Sequence, residues 1–315
     1  MKTKIFIDGS EGTTGLRIFE RFEGRDDIEL LKIPSELRKD PDEIKKYINA
    51  SDITFLCLPD AAAREAVAMV ENENVRIIDT STAHRTEAGW AYGYPELSPA
   101  HRDAIKNGKR VAVPGCHASG FVSLVTPLVK AGLLSKDAAL SCFSLTGYSG
   151  GGKKMIAQYE SSDRTEDLDS PRQYSLTQGH KHLPEMTCIP GLKVQPIFAP
   201  IVADFYSGME VTVPLHGSQI NSLHPVKDVL ACLKDHYANS PIVHVIGDAE
   251  DAAMGGFIPS NALSGKDGMQ LMVLGNDERI QLVSLFDNLG KGSSGAALQC
   301  LNIMTGMEET LGLNL

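Results

Sequence analysis

A chain of 315 residues, 42% hydrophobic and 22% charged, is long enough for two domains with a core each. Its net charge of −10 is spread without a basic block, which excludes nucleic acid as the main partner. No apolar run reaches the length of a membrane span, and the six cysteines lack C-x-x-C spacing; this argues against a membrane protein, a zinc site or a disulfide framework and for a reducing, cytoplasmic setting.

Lys4–Asp8 reads as a short buried strand. Gly9-Ser10-Glu11-Gly12-Thr13-Thr14-Gly15 follows, and then Leu16, Ile18, Phe19 and Phe22 at helical spacing. Strand, glycine-rich turn and helix form a variant of the dinucleotide-binding fingerprint. Its glycines allow close backbone approach, and its helix N-terminus receives a pyrophosphate. Gly9, Ser10, Gly12, Thr13, Thr14 and Gly15 are the expected cofactor contacts. A second strand covers Ile28–Ile33. Glu36 beyond it suits a ribose hydroxyl, but Ser35, Arg38 and Lys39 suit a ribose 2′-phosphate better, so the reading favours NADP over NAD.

Helix patterns over residues 42–49 and 61–70 then alternate with strand patterns over 53–58 and 75–79 and the strand before Cys116. Alternating units of this kind predict an α/β fold: an N-terminal Rossmann-like parallel sheet covered on both faces. Its ligands bind beyond the carboxyl ends of the strands. The loops there are Leu58-Pro59-Asp60, Thr80-Ser81-Thr82-Ala83-His84-Arg85 and Pro114-Gly115-Cys116. Chain order places Cys116 and the glycine turn at one end of the sheet, with the cysteine facing the nicotinamide.

Cys116 ends a β-branched run and a Pro-Gly turn, and precedes a helix carrying Phe121, Leu124, Val125, Leu128 and Val129. A helix N-terminus offers unpaired N–H groups and a partial positive charge, which favour a thiolate, the nucleophilic form. A buried structural cysteine is the plainer alternative; the small, polar Ala118-Ser119-Gly120 favours a reactive thiol.

Residues 139–148 are strand-like, and Ser149-Gly150-Gly151-Gly152-Lys153-Lys154 behind them has the make-up of an anion nest or of a mobile loop. Ser149, Gly150, Lys153 and Arg85 are the expected anion contacts on a substrate. Gln178-Gly-His180-Lys-His182-Leu-Pro184-Glu185 places two histidines just before a helix start. They read as candidates for a general base, with Glu185 as an orienting carboxylate close to the substrate. Spacing does not choose between His180 and His182. No third ligand is evident, so no metal is expected. Strands over 194–198 and 207–216, a helix over 225–237, and a hairpin of 269–274 with 279–286 predict an α+β catalytic and dimerisation domain with a partly antiparallel sheet. The glycine-rich stretch 287–295 leads into a last helix. That helix is expected to return to the first domain and close over the nicotinamide, with Asn288 as a cofactor contact. The expected division is 1–116 with 288–315 for the cofactor and 117–287 for catalysis and oligomerisation.

Taken together, the glycine turn, Ser81-Thr82-Ala83-His84-Arg85, Tyr94-Pro95-Glu96-Leu97, Pro114-Gly115-Cys116, Ser149-Gly150-Gly151-Gly152-Lys153, His180–Glu185 and Asp287-Asn288-Leu-Gly-Lys-Gly resemble the shorter branch of the N-acetyl-γ-glutamyl-phosphate reductases of arginine biosynthesis. The resemblance runs nearly the whole chain. It implies NADPH-dependent reductive dephosphorylation of N-acetyl-γ-glutamyl phosphate, giving N-acetylglutamate semialdehyde, with Cys116 as nucleophile. His117 departs from it, since an aromatic residue such as Tyr is usual there. An aspartate-semialdehyde dehydrogenase-like enzyme and a nonenzymatic NADP-binding regulator are the rival readings. The expected assembly is a homodimer or homotetramer through the second sheet.

Overall fold

The apolar runs of the first third of the chain pair in parallel. In the computed structural model, which describes residues 2–247 and 255–315, they form a six-stranded sheet in the order β2-β1-β3-β4-β6-β5. The strands are β1 (Thr3–Asp8), β2 (Ile28–Leu31), β3 (Ile53–Leu56), β4 (Arg76–Asp79), β5 (Ala91–Tyr92) and β6 (Arg110–Ala112). Helices α1 (Thr13–Phe22), α2 (Pro41–Ala50), α3 (Asp60–Ala68) and α4 (Pro99–Asn107) connect them. Consecutive residues of β1 and β3 are buried because both faces of the sheet are covered. On one side Phe6, Leu56 and Ile77 pack with Ile48 of α2 and Ala63 and Ala66 of α3. Helix α2 starts where Asp40 accepts from the amides of Asp42 and Glu43 ahead of Pro41.

The second sheet is mixed and seven-stranded, in the order β11-β12-β13-β10-β7-β9-β8. Its strands are β7 (Ser141–Gly147), β8 (Arg172–Gln173), β9 (Ile197–Ala203), β10 (Met209–His216), β11 (Val243–Val245), β12 (Met269–Asn276) and β13 (Arg279–Phe286). It is antiparallel except where β11 meets β12 and β7 meets β9. Helices α5 (Cys116–Lys130), α6 (Gly152–Tyr159), α7 (Leu183–Cys188) and α8 (Pro225–Tyr237) accompany it. Helix α5 is buried from His117 to Val129, and a Cβ on Gly120 would stand 2.5 Å from Val211 of β10. Strand β10 alternates buried and half-exposed residues, the pattern of a sheet with one covered face. Phe143 and Ile197 are exposed, at 50% and 64%.

The chain divides into Met1–Pro114 with Ala296–Gly312, and Gly115–Gly295 with Leu313–Leu315. The return to the first unit therefore falls at 296 rather than 288. The reason is local. Asp287 accepts from Ser207 Oγ and the Leu289 amide, and Asn288 holds Gly208 and Ser149, so the segment belongs to the second unit. A Cβ on Gly290 would sit 2.1 Å from the Lys266 carbonyl, so the glycines there admit a neighbouring backbone. A π-helical turn over Gly290–Ser294 leads into the last helix, α9 (Gly295–Thr305). The strand read at 194–198 begins instead at Ile197, after Pro196, which has no N–H to give a ladder.

Candidate active site

Strand β1 pairs with β2 on one side and β3 on the other. The sheet order therefore reverses beside it, which is where ligands of such sheets bind. Gly9 leaves β1 with φ +83°, and a Cβ there would meet the Cys57 carbonyl at 2.4 Å; one on Gly15 would meet the Gly9 carbonyl at 2.3 Å. Only glycine fits either place. Gly12 caps α1 with no side-chain hydrogen bond, and a helix N-terminus of this kind suits an anion. Next to it the Thr13 hydroxyl is buried without a hydrogen-bond partner. A dinucleotide phosphate suits this cradle. Asp8, at the end of β1, has its carboxyl pushed up to about 6 by burial. Beyond β2, Ser35 and Arg38 are exposed, and Arg38 forms an ion pair with Glu11 of the glycine turn. The loop after β4 turns inward. Asp79 accepts from the Ser81 amide and hydroxyl and pairs with His84 Nδ1 at 2.6 Å, while His84 stacks on Trp90 with ring centres 4.0 Å apart.

In the second unit, Cys116 is the first residue of α5 and is partly exposed, while Gly115 before it is buried. Glu185 Oε2 accepts the Gly115 amide at 3.1 Å. Donor atoms of Cys116, His117 and His182 lie within 4.8 Å of one another. His117 spends both ring nitrogens: Nδ1 lies 2.6 Å from Ser144 Oγ on β7, and Nε2 lies 2.6 Å from the Tyr174 hydroxyl. His117 is thereby committed to two hydroxyls. Burial, reinforced by His180, lowers the His117 pKa to about 3, so its ring stays neutral. Tyr174 stays a phenol for the same reason, burial first and the nearby Cys116 second. By contrast Cys57 is a poor nucleophile, since burial pushes its thiol up to about 12.

The loop carrying the histidines is stitched to the edge of β9. The Tyr174 amide donates to Pro200, and Gln178 makes two 2.8 Å bonds with the backbone of Phe198. His180 then packs edge-on against His117, His182 and Phe198, with centroids 5.5, 4.7 and 5.0 Å away. The sequence singled out Cys116, His180 and His182, and all three stand in this cluster or against it. It missed Tyr174, Ser144 and Phe198, and took His117 only as a departure.

Three further residues expected at the site are held by contacts the sequence does not show. Arg85 is buried, and gives Nε to the Val113 carbonyl and Nη2 to the Thr80 carbonyl, which ties it to the ends of β4 and β6. Asn288 is buried in the second unit, with its amide between the Gly208 N–H and Ser149 Oγ. Glu185 is buried and accepts the backbone N–H of Gly115, the residue before Cys116. Ser149 is buried, while Gly150 and Lys153 are exposed.

Residues 5–107 match the semialdehyde dehydrogenase NAD binding domain, and residues 116–288 the semialdehyde dehydrogenase dimerisation domain. Among solved structures, aspartate semialdehyde dehydrogenase II from Vibrio cholerae shares the fold with a TM-score of 0.73 at 15% identity, over 97% of this chain and 99% of that one. The Candida albicans aspartate semialdehyde dehydrogenase with NADP gives 0.69 at 17%, with the same coverage. Fold and site together define an oxidoreductase of the semialdehyde dehydrogenase class, with an NAD(P)-binding unit. Within it, N-acetyl-gamma-glutamyl-phosphate reductases of Brucella ovis and Brucella anthropi are each 46% identical over 310 residues, 97% of this chain and 100% and 99% of theirs. The chain belongs to the N-acetyl-γ-glutamyl-phosphate reductase family.

Proposed function

We propose that the chain reduces N-acetyl-γ-glutamyl phosphate to N-acetylglutamate 5-semialdehyde and phosphate, a step of arginine biosynthesis, through a thioester on Cys116. One observation carries the reading: a partly exposed cysteine opens a fifteen-residue helix with an imidazole donor of His182 inside 4.8 Å. Cys116 Sγ attacks the acyl carbon, the bond to the phosphate oxygen breaks, and the thiol proton leaves on the phosphate by way of an imidazole. Bound NADPH supplies the hydride. The thioester carbonyl carbon accepts it, and the resulting oxyanion collapses to the aldehyde and returns the thiolate.

The cradle at Gly9–Gly15 would hold the pyrophosphate, and Arg38 and Ser35 would select NADP by its 2′-phosphate. Exposed Lys153 and Gly150 are anion contacts for the substrate in this reading. The match to a dimerisation domain, with Phe143 and Ile197 exposed on the second sheet, supports a homodimer or homotetramer through that sheet. Six free cysteines suit a reducing cytoplasm. Among the described residues no helix is long and apolar enough to cross a membrane.

The test is the reverse reaction with NADP⁺ and phosphate. N-acetylglutamate semialdehyde is expected to be oxidised with the highest kcat/KM, ahead of aspartate semialdehyde and glyceraldehyde-3-phosphate. A preference for either of the others overturns the substrate assignment.

A further inference from the structure

Two histidines two residues apart show no third metal ligand beside them in sequence, but the fold brings one from another element. Cys116 and His117 open α5, and His182 stands immediately before α7. One donor atom from each of Cys116, His117 and His182 lies within 4.8 Å of the other two. Among the described residues this is the only such group of three. A tetrahedral zinc ion needs its sulfur and nitrogen ligands about 3.3–3.6 Å apart, so no pair here has more than about 1.5 Å to close. Small χ rotations cover that distance. The donor set is also selective: one thiolate and two imidazoles suit Zn²⁺, whereas Mg²⁺ and Ca²⁺ take oxygen. His117 is supported as metal-bound histidines are. Its Nδ1 lies 2.6 Å from Ser144 Oγ and its Nε2 lies 2.6 Å from Tyr174 Oη. Whichever nitrogen turns to an ion, the other keeps a hydroxyl that accepts its N–H, which fixes the tautomer and the ring plane. The hydroxyl displaced by the ion is a single hydrogen bond, a small loss beside a zinc–thiolate bond. Phe198 packs edge-on against the ring with centroids 5.3 Å apart, and Cys116 is partly exposed, so an ion has a way in from solvent.

We infer that Cys116, His117 and His182 form an inhibitory zinc site laid over the nucleophile. The inhibition rests on the reading of Cys116 given above; the binding does not. Sulfur gives a lone pair to the ion and the thiol proton passes to solvent. The two imidazoles bind as neutral rings, and water fills the fourth position that three protein ligands leave open. No electron is transferred, since zinc has no redox chemistry. With its lone pair engaged, Sγ does not attack an acyl carbon, so the ion and the acyl phosphate exclude each other. Removing the ion restores the thiol, which makes the block reversible.

The test uses the full-length protein, with Co²⁺ as a coloured substitute for Zn²⁺. Co²⁺ is expected to bind once per chain, with a sulfur-to-cobalt charge-transfer band and the visible bands of a tetrahedral ion. One equivalent of Zn²⁺ should bleach both, and Mg²⁺ should do neither. Cys116→Ser is expected to lose the charge-transfer band, while Cys188→Ser, which removes the exposed thiol, keeps it. X-ray absorption of the zinc-bound parent, which needs no variant, should give one sulfur at about 2.3 Å and two imidazole nitrogens at about 2.0–2.1 Å. His117→Gln and His182→Gln, in proteins that melt like the parent, should each weaken zinc by at least about 10–100-fold, the loss that even a supporting contact causes. Activity should fall with Zn²⁺, return with a chelator, and be protected by acyl phosphate. The spectra need no turnover, so a wrong substrate assignment leaves them unchanged. The proposal is overturned by a missing charge-transfer band, by a band that follows Cys188 instead of Cys116, or by fewer than two imidazoles on the ion. Parent-like zinc affinity in either glutamine variant, or full activity with the ion bound, also overturns it.

Discussion

Asp8 carries a cost that the cofactor cradle imposes. Burial raises its carboxyl from 3.8 to about 6, so the folded chain holds a proton there that the unfolded chain has already lost. Stability from this site is therefore greatest near pH 4, falls as pH rises toward 6, and stays lower above it. At about 1.4 kcal/mol per pH unit the penalty is on the order of 2–3 kcal/mol at pH 8. Asp8→Asn is expected to gain about that much in urea unfolding at pH 8 and little at pH 4; an equal gain at both would assign the effect elsewhere. Arg38 makes a separate prediction. Its pair with Glu11 is exposed and worth little, so Arg38→Ala should leave stability within about 0.5 kcal/mol. Losing a charge-assisted contact to the 2′-phosphate should raise the KM for NADPH roughly tenfold or more and spare NADH. Equal losses with both cofactors would remove Arg38 from that role. Cys116 was legible because its surroundings are local in sequence. The partners of Arg85, Val113 and Thr80, were not legible because the fold sets them. Tyr174 left no signal at all: it lies in an irregular loop whose course is fixed by hydrogen bonds to β9.

Helix α5 holds Cys116 at one end and packs into the second core along its length. Gly120 lies one turn past Cys116, against Val211 and Phe286. Its lack of a side chain sets how closely the helix approaches β10 and β13. Gly120→Ala overpacks that contact, at an expected cost of about 1–3 kcal/mol despite the better helix propensity of alanine. Thermal unfolding checks the sign, and a rise in Tm would mean that the helix is free to shift. Elements of this size were the most legible part of the chain. Helix α8 was read at its observed limits, residues 225–237, because its apolar stripe and starting proline agree. The hairpin β12–β13 was visible for a similar reason, with β-branched and apolar runs around Gly275–Glu278. Two-residue strands such as β5 and β8 were not, since pairing alone defines them and no periodicity fits in two residues.

For the whole molecule, assembly and chemistry give separate tests. A sheet with Phe143 and Ile197 exposed should meet a second copy there, so Phe143→Asp is expected to drop the solution mass by light scattering towards the 34.0 kDa of one chain. An unchanged mass would move the interface off this face. The central claim is the covalent step on Cys116, and a single-turnover experiment without NADPH reaches it most directly. Enzyme is mixed with N-acetyl-γ-glutamyl phosphate, quenched, and measured for released phosphate and for intact mass. About one phosphate per active site should appear in a burst, with the acyl group on Cys116. Cys116→Ser should show neither. No adduct on Cys116, or near-normal turnover by the serine variant, would contradict the account.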